Sequence, residues 1–275
     1  MKGHFILNIV LNIKQKIHFE IVKFRKKHTY VKIAKVKKII DEIKEKGYVV
    51  IPNFYSSEDC SELRGEIDKL LLKCDKNGSL WTDEWEADKR CFVAEEYSQL
   101  IAKFHNDSFL ESVADNYFQG KMLVSNTLAS KIEYVEGNIG SGQGWHRDGN
   151  NFQFKAILYL SDVELNDGPF QIIEGSHKFT SVLRDTKIMG SEADNTRFSN
   201  EQIEKLKIKY PDKYKVFTAS EGTLIFADVS SIHTGMSLGE GGSRYSLFNY
   251  YYPSYDDIKK RKETFRNAGK TKEYI

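Results

Sequence analysis

The 275-residue sequence predicts a mainly β domain with flanking helices. After Gly120, short runs rich in β-branched and aromatic residues alternate with clusters of Gly, Asn, Asp and Ser, which is typical of an antiparallel barrel or sandwich. Before Gly120, apolar residues recur at helical spacing. At 40% hydrophobic and 13% aromatic residues, the chain can bury a substantial core.

The first 120 residues predict helices and one short strand. Helices are expected over 31–46, from Ser56 or Ser57 onwards, and once or twice within 97–117, with a strand over 48–51. The polar residues 75–95 are expected to be irregular.

The following residues predict the β core. Strands are expected within 121–135, 152–160, 169–173, 214–218, 223–228 and 244–252. A long charged insertion, 176–213, interrupts them and is expected to be helical around 200–209. Such insertions are commonly lids or substrate loops. Residues 31–255, including the insertion, are taken as one domain, which is followed by a charged tail over 256–275.

The net charge of +2 hides an asymmetry along the chain. Residues 1–40 contain eleven Lys or Arg residues and one acid, Glu20, and residues 1–30 are interpreted as a basic amphipathic arm. Such a helix suits an anionic membrane surface or a partner, and it equally suits packing against its own domain. Nucleic-acid binding is not expected, because no groove-reading or stacking motif accompanies the charge.

The cysteines and the apolar segments exclude several protein classes. Cys60, Cys74 and Cys91 are odd in number and form no CxxC pair, which disfavours a disulfide-stapled secreted fold and a thiolate zinc site. A stretch of about 20 apolar residues that would span a bilayer is absent, and the apolar run 5–13 contains asparagines and precedes lysines, which disfavours export. A cytoplasmic location is expected, with peripheral membrane contact through residues 1–40 as the alternative.

The most informative segment is Gly144-Trp145-His146-Arg147-Asp148-Gly149. On an extended chain, residues two apart point to the same face, so His146 and Asp148 can present an imidazole and a carboxylate to one point while Arg147 faces away. His233, just after an apolar run, is the candidate third ligand. Two histidines and one carboxylate form the facial triad of non-haem Fe(II) oxygenases.

Two other histidines compete for this interpretation. His177 follows a turn at the end of a predicted strand and is an alternative third ligand. The pair His105 and Asp107 has the same spacing as His146 and Asp148, but it lies among residues with helical spacing, where positions two apart point in different directions. Asn106 or Asp107 is therefore expected to cap a helix.

Arg244 and Ser246 share one face of a predicted strand that follows His233. A guanidinium binds a carboxylate through two parallel hydrogen bonds, and a hydroxyl can add a third. The pair is therefore a candidate anchor for an α-keto diacid.

These residues fall within motifs that are similar to those of the phytanoyl-CoA dioxygenase superfamily. The motifs are Gly144 to Asp148, Phe154 to Val163, Asp167-Gly168-Pro169-Phe170, Gly175 to Lys178, and Gly222 to Phe226 leading to His233 and Arg244. The resemblance covers roughly residues 40–252 and implies a double-stranded β-helix (jelly-roll, cupin-like) core that uses Fe(II), 2-oxoglutarate and O₂. It implies that His146, Asp148 and His233 bind iron, and that Arg244, with Ser246, binds 2-oxoglutarate.

The resemblance also implies an activity, the hydroxylation of a small molecule with release of succinate and CO₂. Some relatives in this superfamily are halogenases in which a small residue replaces the carboxylate ligand, and Asp148 favours hydroxylation instead. A sugar, a nucleotide-sugar or an acyl compound is a candidate substrate. Pocket residues are expected in 176–213, in 149–151 and in 81–95, where Trp81, Trp85 and Arg90 are the candidates. Trp145 and Tyr159 are further candidates, with packing in the core as the alternative. Two alternatives stay open: a non-catalytic β-barrel module recruited to membranes by the arm, and a cupin-like metalloenzyme that does not use 2-oxoglutarate. The oligomeric state is not predicted.

Overall fold

The computed structural model describes residues 34–149, 153–192 and 194–271. The predicted arm, residues 1–30, lies outside these ranges. The described chain forms two facing antiparallel sheets with helices packed on the outside, which confirms the predicted jelly-roll core. Among the described helices, none has the length and apolar character needed to cross a bilayer.

Ten strands form the two sheets within the described residues. They are β1 (Tyr48–Ile51), β2 (Trp81–Thr82), β3 (Asp88–Cys91), β4 (Met122–Glu133), β5 (Phe154–Tyr159), β6 (Phe170–Ile173), β7 (Tyr214–Phe217), β8 (Leu224–Asp228), β9 (His233–Gly235) and β10 (Ser243–Pro253). The large sheet has the order β1-β8-β5-β10-β4-β3-β2, and the small sheet has the order β7-β6-β9.

Seven α-helices accompany the sheets in the same ranges. They are α1 (Ala34–Lys46), α2 (Ser57–Lys76), α3 (Gln99–His105), α4 (Ser108–Phe118), α5 (Phe179–Met189), α6 (Asn200–Lys209) and α7 (Ile258–Thr271). Helix α2 begins after Ser56, whose hydroxyl accepts the amide of Asp59 while the Asp59 carboxylate accepts the Ser56 amide. This reciprocal pair is a capping box, and it places the start of the helix where the sequence predicts it.

The main hydrophobic core lies between the outer face of the large sheet and helices α1 to α4. Strand β5 contributes Phe154, Ala156 and Leu158 to this core. The alternate residues Ile157 and Tyr159 point to the opposite face, where they pack against the small sheet in a second cluster. Strand β5 is therefore buried on both faces, which explains its nearly continuous apolar sequence.

The insertion 176–213 folds into α5 and α6 and has a core of its own, with α6 as predicted. Met189, Phe198, Ile203 and Leu206 pack there against Trp145. The insertion is thus attached directly beside the segment that carries His146 and Asp148.

Two segments differ from their sequence-based description. The polar segment 75–95 contains β2 and β3, because Asp88 and Arg90 satisfy each other inside the sheet. The charged tail contains helix α7, which buries Phe265 and Ala268 against Trp81 and Phe92. Ion pairs from Lys262 and Arg266 to Glu96 and from Lys262 to Glu95 join α7 to the body.

Candidate metal centre

His146 and His233 lie directly opposite each other in two adjacent extended segments. The amide of His146 donates to the carbonyl of His233 at 2.9 Å, and the amide of His233 donates to the carbonyl of His146 at 2.8 Å. Residues that exchange both hydrogen bonds in an antiparallel pair present their side chains on the same face. The backbone therefore places two imidazoles, which come from distant parts of the chain, side by side.

The three predicted ligands converge on one point. Oδ1 of Asp148 lies 3.2 Å from Nε2 of His146 and 3.3 Å from Nε2 of His233. Among the described residues, these three side chains form a cluster that could hold a metal ion. Their ligand atoms all lie within 4.8 Å of one another. The arrangement has the donor set of the facial triad.

Backbone carbonyls orient both imidazoles toward that point. Nδ1 of His146 lies 2.8 Å from the carbonyl oxygen of Gly144, and Nδ1 of His233 lies 2.9 Å from that of Ser231. Because a carbonyl only accepts, each Nδ1 carries the proton and donates. In the neutral form of either ring, Nε2 then carries the lone pair that a metal ligand requires.

Lys155 holds the second oxygen of the carboxylate. Its ammonium bonds Oδ2 of Asp148, and it lies 4.5 Å from the centre of the Tyr250 ring. Burial alone would raise the pKa of the Asp148 carboxyl, but Lys155 and the two imidazoles outweigh burial and hold this pKa well below its usual range. The carboxylate is therefore ionised at neutral pH, with Oδ1 directed at the histidines.

His233 is held neutral by its surroundings. Burial, with a further contribution from neighbouring His146, lowers the pKa of His233 to about 4. Since a ligating histidine must be deprotonated at the metal-binding nitrogen, this side chain is ready to bind a metal at physiological pH.

Arg244 and Ser246 lie two residues apart on β10 and are both buried, and Arg244 lines the cavity that contains the three ligands. Nε and Nη1 of Arg244 and Oγ of Ser246 have no hydrogen-bond partner within the described structure. Buried polar atoms normally have partners, so these donors are suited to an anionic ligand. Ser246 is directly opposite Tyr159 of β5, and the phenol of Tyr159 accepts the amide of Phe170 at 2.9 Å.

The three ligands and Arg244 share a cavity of about 280 Å³ between the two sheets. Its wall is formed by polar, cationic and aromatic side chains. Besides those already named, they include Arg90, Leu128, Ser141, Gln153, Ile157, Phe170, Thr196, Arg197, Phe248, Tyr252, Arg261 and Phe265.

The other residues singled out by the sequence have structural roles. Arg147 faces away from the ligands, as predicted, and its Nη1 donates to the carbonyls of Ser176 and Ser230. His177 bonds the carbonyl of Lys44 and lies outside the ligand group. His105 ends α3 and lies 2.8 Å from Oγ1 of Thr127.

Predicted pocket residues are divided between cavity and core. Arg90 and Tyr159 line the cavity, as does the insertion through Thr196 and Arg197. Trp145 instead packs in the core of the insertion, and Trp81 lies behind Arg90, whose guanidinium is 4.6 Å from its ring centre. Trp85 is not among the residues that line the described cavity, and residues 150–151 lie outside the described ranges.

Sequence reasoning missed several cavity residues, notably Lys155, Tyr250, Tyr252, Arg261 and Phe265. A lysine within an otherwise apolar strand is a signal that could have identified Lys155, because buried charges are normally paired. The alternation of Arg244 and Ser246 extends to Tyr250 and Tyr252 along the same face of β10. Nothing comparable in the charged sequence of α7 indicates that it reaches the cavity.

The fold and the site define a double-stranded β-helix protein with a His-Asp-His centre. The family model of phytanoyl-CoA dioxygenase (PhyH) matches residues 43–239. The chain therefore belongs to the phytanoyl-CoA dioxygenase family.

Individual relatives are more distant. The chain is 23% identical over 217 residues to the ectoine dioxygenase of Halomonas elongata, and the match covers 70% of this chain and 63% of the relative. The chain thus spans less than two thirds of the length of that protein.

Solved structures show the same fold at low sequence identity. One is the epimerase SnoN in complex with Fe³⁺, α-ketoglutarate and nogalamycin RO, with a TM-score of 0.61, 15% identity, and coverage of 80% of this chain and 84% of SnoN. Another is EctD from S. alaskensis with 2-oxoglutarate and 5-hydroxyectoine, with a TM-score of 0.61, 14% identity, and coverage of 84% and 79%.

Proposed function

We propose that this protein is an Fe(II)- and 2-oxoglutarate-dependent dioxygenase that hydroxylates a small molecule and releases succinate and CO₂. The observation that carries the proposal is the position of His146, Asp148 and His233 in the same cavity as Arg244, whose Nε and Nη1 have no hydrogen-bond partner within the described structure. Membership of the phytanoyl-CoA dioxygenase family supports it.

The ligand set fits ferrous iron. Two neutral imidazoles and one carboxylate, grouped on one side of a metal, are the donors of non-haem Fe(II) oxygenases and leave other coordination positions open. In the neutral form of each ring the lone pair is on Nε2, because Nδ1 donates to a carbonyl. Asp148 offers Oδ1, since Lys155 bonds its other oxygen.

The cationic end of the cavity fits 2-oxoglutarate. Arg244 would bind the distal carboxylate of the diacid, and Ser246 would donate a further hydrogen bond. Tyr159 and Phe170 stand beside them in the wall. A buried guanidinium with unused donors is costly without an anion, so binding of a carboxylate there would satisfy a real deficit.

When bound, the iron and 2-oxoglutarate supply an oxidant through oxidative decarboxylation of the diacid. The chain contributes geometry and shelter. The paired backbone of His146 and His233 fixes the ligands, and Lys155 fixes the carboxylate. The aromatic and aliphatic wall, including Ile157 and Phe248, limits the water that reaches the reacting groups.

The reaction that we propose for this site is hydroxylation. Asp148 supplies a carboxylate as the third ligand. A halide that needed this ligand position would therefore find it occupied. The ectoine dioxygenase relative supports oxygen insertion, whereas the epimerase SnoN shows that this fold also carries a different reaction. A mass gain of one oxygen atom in the product distinguishes the two outcomes.

The test is an anaerobic titration of the full chain with Fe(II) and then 2-oxoglutarate. We expect a weak visible metal-to-ligand charge-transfer band, followed by succinate formation when oxygen and substrate are supplied. A folded protein that shows no band would indicate a non-catalytic binding module. A protein that binds iron and oxidises its substrate without forming succinate would indicate a cupin-like enzyme that does not use 2-oxoglutarate.

A second proposal concerns residues 1–40, whose eleven basic side chains suit an anionic membrane surface. We expect deletion of residues 1–28 to lower co-sedimentation with vesicles that contain anionic lipid, while succinate formation is retained. Equal sedimentation of the full and shortened chains would contradict this proposal.

A further inference from the structure

Helix α7 forms part of the cavity wall, although it lies outside the region that the family model matches. The model matches residues 43–239, whereas α7 covers Ile258–Thr271. Arg261 and Phe265 of this helix line the cavity together with the metal ligands. The family match therefore does not account for this part of the wall, and its role has to be inferred from its contacts.

Strand β10 gives the cavity two ends. Arg244, Phe248, Tyr250 and Tyr252 lie at even spacing on β10, and all four line the cavity. Because a strand rises about 3.3 Å per residue, Tyr250 lies about 20 Å along β10 from Arg244. One end of the cavity is thus at Arg244, the proposed anchor of 2-oxoglutarate, and the other is at Tyr250 and Tyr252.

His233 faces the end at the anchor. Its ring centre lies 5.5 Å from that of Phe170, and the amide of Phe170 donates to the phenol of Tyr159. The Tyr159 ring centre in turn lies 5.9 Å from the guanidinium carbon of Arg244. A continuous row of contacts therefore connects this ligand to the proposed anchor.

Asp148 faces the opposite end. Its second carboxylate oxygen is bonded by Lys155, and Lys155 is directly opposite Tyr250 in the pairing of β5 with β10. The metal centre thus lies between the two ends of the cavity. A molecule of 2-oxoglutarate that reached from Arg244 to the metal would leave the end at Tyr250 for the substrate.

The end at Tyr250 has an aromatic wall to which α7 contributes Phe265. The ring centre of Phe265 lies 4.9 Å from that of Tyr250 and 5.8 Å from that of Phe92. Leu128 and Tyr252 belong to the same apolar cluster and also line the cavity. Phe92 is not among the residues that line the described cavity, so Phe265 separates Phe92 from it.

Two cations stand over the tyrosine rings of this end, and each has a carboxylate partner within the chain. Lys155 bonds Asp148, and Arg261 bonds Asp256. Their charges are thus compensated without a substrate. Because a neutral ligand leaves both ion pairs intact, the aromatic side chains are the groups that this end offers for binding it.

We propose that the substrate presents a neutral aromatic ring to this end of the cavity and that Phe265 of α7 is a specificity-determining residue. The inference rests on the proposed function and names the substrate class of that site. Aromatic side chains bind a ring through offset and edge contacts. A ring held against Phe265 and Tyr252 would lie on the Asp148 side of the centre, where oxygen insertion is proposed.

The experiment uses the full chain, loaded anaerobically with Fe(II) and saturating 2-oxoglutarate so that the proposed anchor is filled. It is titrated calorimetrically with indole, benzyl alcohol, methyl glucoside and benzoate. We expect indole to bind at least about tenfold more tightly than methyl glucoside, whose ring is neutral but polar. Benzoate should bind no more tightly than benzyl alcohol, because the cations of this end already have partners.

Variants locate the binding. Phe265→Leu should weaken indole about fivefold or more, because an aromatic contact is lost. Phe92→Leu is the matched control, since Phe92 packs on Phe265 away from the cavity, and it should change the indole affinity by less than about twofold. A general loss of packing would affect both variants equally.

A larger side chain provides a second measurement if Phe265→Leu does not fold. Phe265→Trp reduces the space at this end, so it should weaken indole more than the smaller benzyl alcohol. The ratio of the two affinities does not change when the variant is merely less stable. An unchanged ratio would show that Phe265 does not bound the ligand site.

The inference would be overturned by indole that binds no better than methyl glucoside, by benzoate that binds more tightly than benzyl alcohol, or by equal losses in Phe265→Leu and Phe92→Leu. The charge-transfer band, recorded on the same samples, reports separately on the proposed function. A missing band together with indole binding that still requires Phe265 would refute the oxygenase proposal and leave the ring site standing. A normal band without indole binding would refute the ring site alone.

Discussion

His146 and His233 are joined through their own backbones, each donating its amide to the other's carbonyl. The two imidazoles of the metal centre thus come from a directly hydrogen-bonded residue pair of two antiparallel segments. They cannot separate unless these two backbone hydrogen bonds break. Asp148 completes the group from the same extended segment as His146.

Removal of one imidazole should abolish tight metal binding. We expect His233→Ala to weaken the binding of Fe(II) or Co(II) by at least about 100-fold, because a first ligand contributes more than the outer groups that orient it. Isothermal titration calorimetry measures the affinity. His177→Gln is the matched control, since His177 bonds a backbone carbonyl away from the centre, and an equal loss in that variant would contradict the ligand assignment.

Arg244→Gln should weaken 2-oxoglutarate without affecting the metal. We expect an increase of about 10- to 100-fold in the Kd of 2-oxoglutarate, because hydrogen bonds to charged groups are lost. Titration of the charge-transfer band measures it. Ser246→Ala should give a smaller increase in the same direction, and Arg261→Gln should give none. An Arg244→Gln protein with wild-type affinity would remove Arg244 from the proposed site.

Lys155→Met should make the thermal stability of the protein more dependent on bound metal. The change leaves the Asp148 carboxylate without its cation, and breaking a buried pair costs about 3–5 kcal/mol. A divalent ion at the carboxylate would replace the missing charge. We therefore expect a lower Tm without metal and a larger metal-induced rise in Tm than in the wild type. Equal rises in both proteins would show that Lys155 does not share the carboxylate with the metal.

Alanine substitutions at Gly142 and Gly144 should distinguish the effect of backbone strain from that of a steric clash with a ligand. Gly142 has φ of +90° and Gly144 has φ of +87°, so alanine at either position costs about 1–3 kcal/mol of backbone strain. Only at Gly142 does the added Cβ meet His146, since no atom of the described residues lies within 4 Å of a Cβ at Gly144. We expect both alanine variants to be less stable and only Gly142→Ala to bind Co(II) more weakly. Equal metal affinity in the two variants would contradict this reading.

Helix α7 should contribute to stability as well as to the cavity wall. Phe265 is 4% exposed and packs in a cluster with Phe92 and Tyr252. We expect Phe265→Ala to lower the free energy of unfolding by about 3–5 kcal/mol, as measured by urea denaturation. Lys259→Ala on the exposed side of the same helix should change it by less than about 0.5 kcal/mol. Similar effects of both changes would show that α7 is not packed as described.

The positions of the ligands and of the anchor could be predicted because each lies on extended chain. A spacing of two puts His146 with Asp148 and Arg244 with Ser246 on common faces, and the family motifs indicate which pairs belong together. The structure confirms that the first pair and His233 converge. The roles of these residues as iron and 2-oxoglutarate ligands stay predictions.

The remaining parts depend on pairing between distant residues. Strand β3 is charged, and it is stable inside the sheet because Asp88 bonds Arg90. Lys155 is buried because Asp148 faces it, and α7 has few apolar residues beyond Phe265 and Ala268 to mark its inner side. A single sequence shows the residue types but not these partnerships, so local patterns could not identify them.

The extended segment 145–148 is bonded on both sides. Phe198 and Arg147 connect it to the insertion through amide-to-carbonyl bonds of 2.9 and 2.7 Å, and Asp148 and His146 connect it to the chain around β9. Replacement of the insertion by that of a relative would therefore also change the backbone hydrogen bonds that hold the segment carrying His146 and Asp148. Chimaeras intended to alter substrate choice should transplant 141–149 and 191–199 together as one unit.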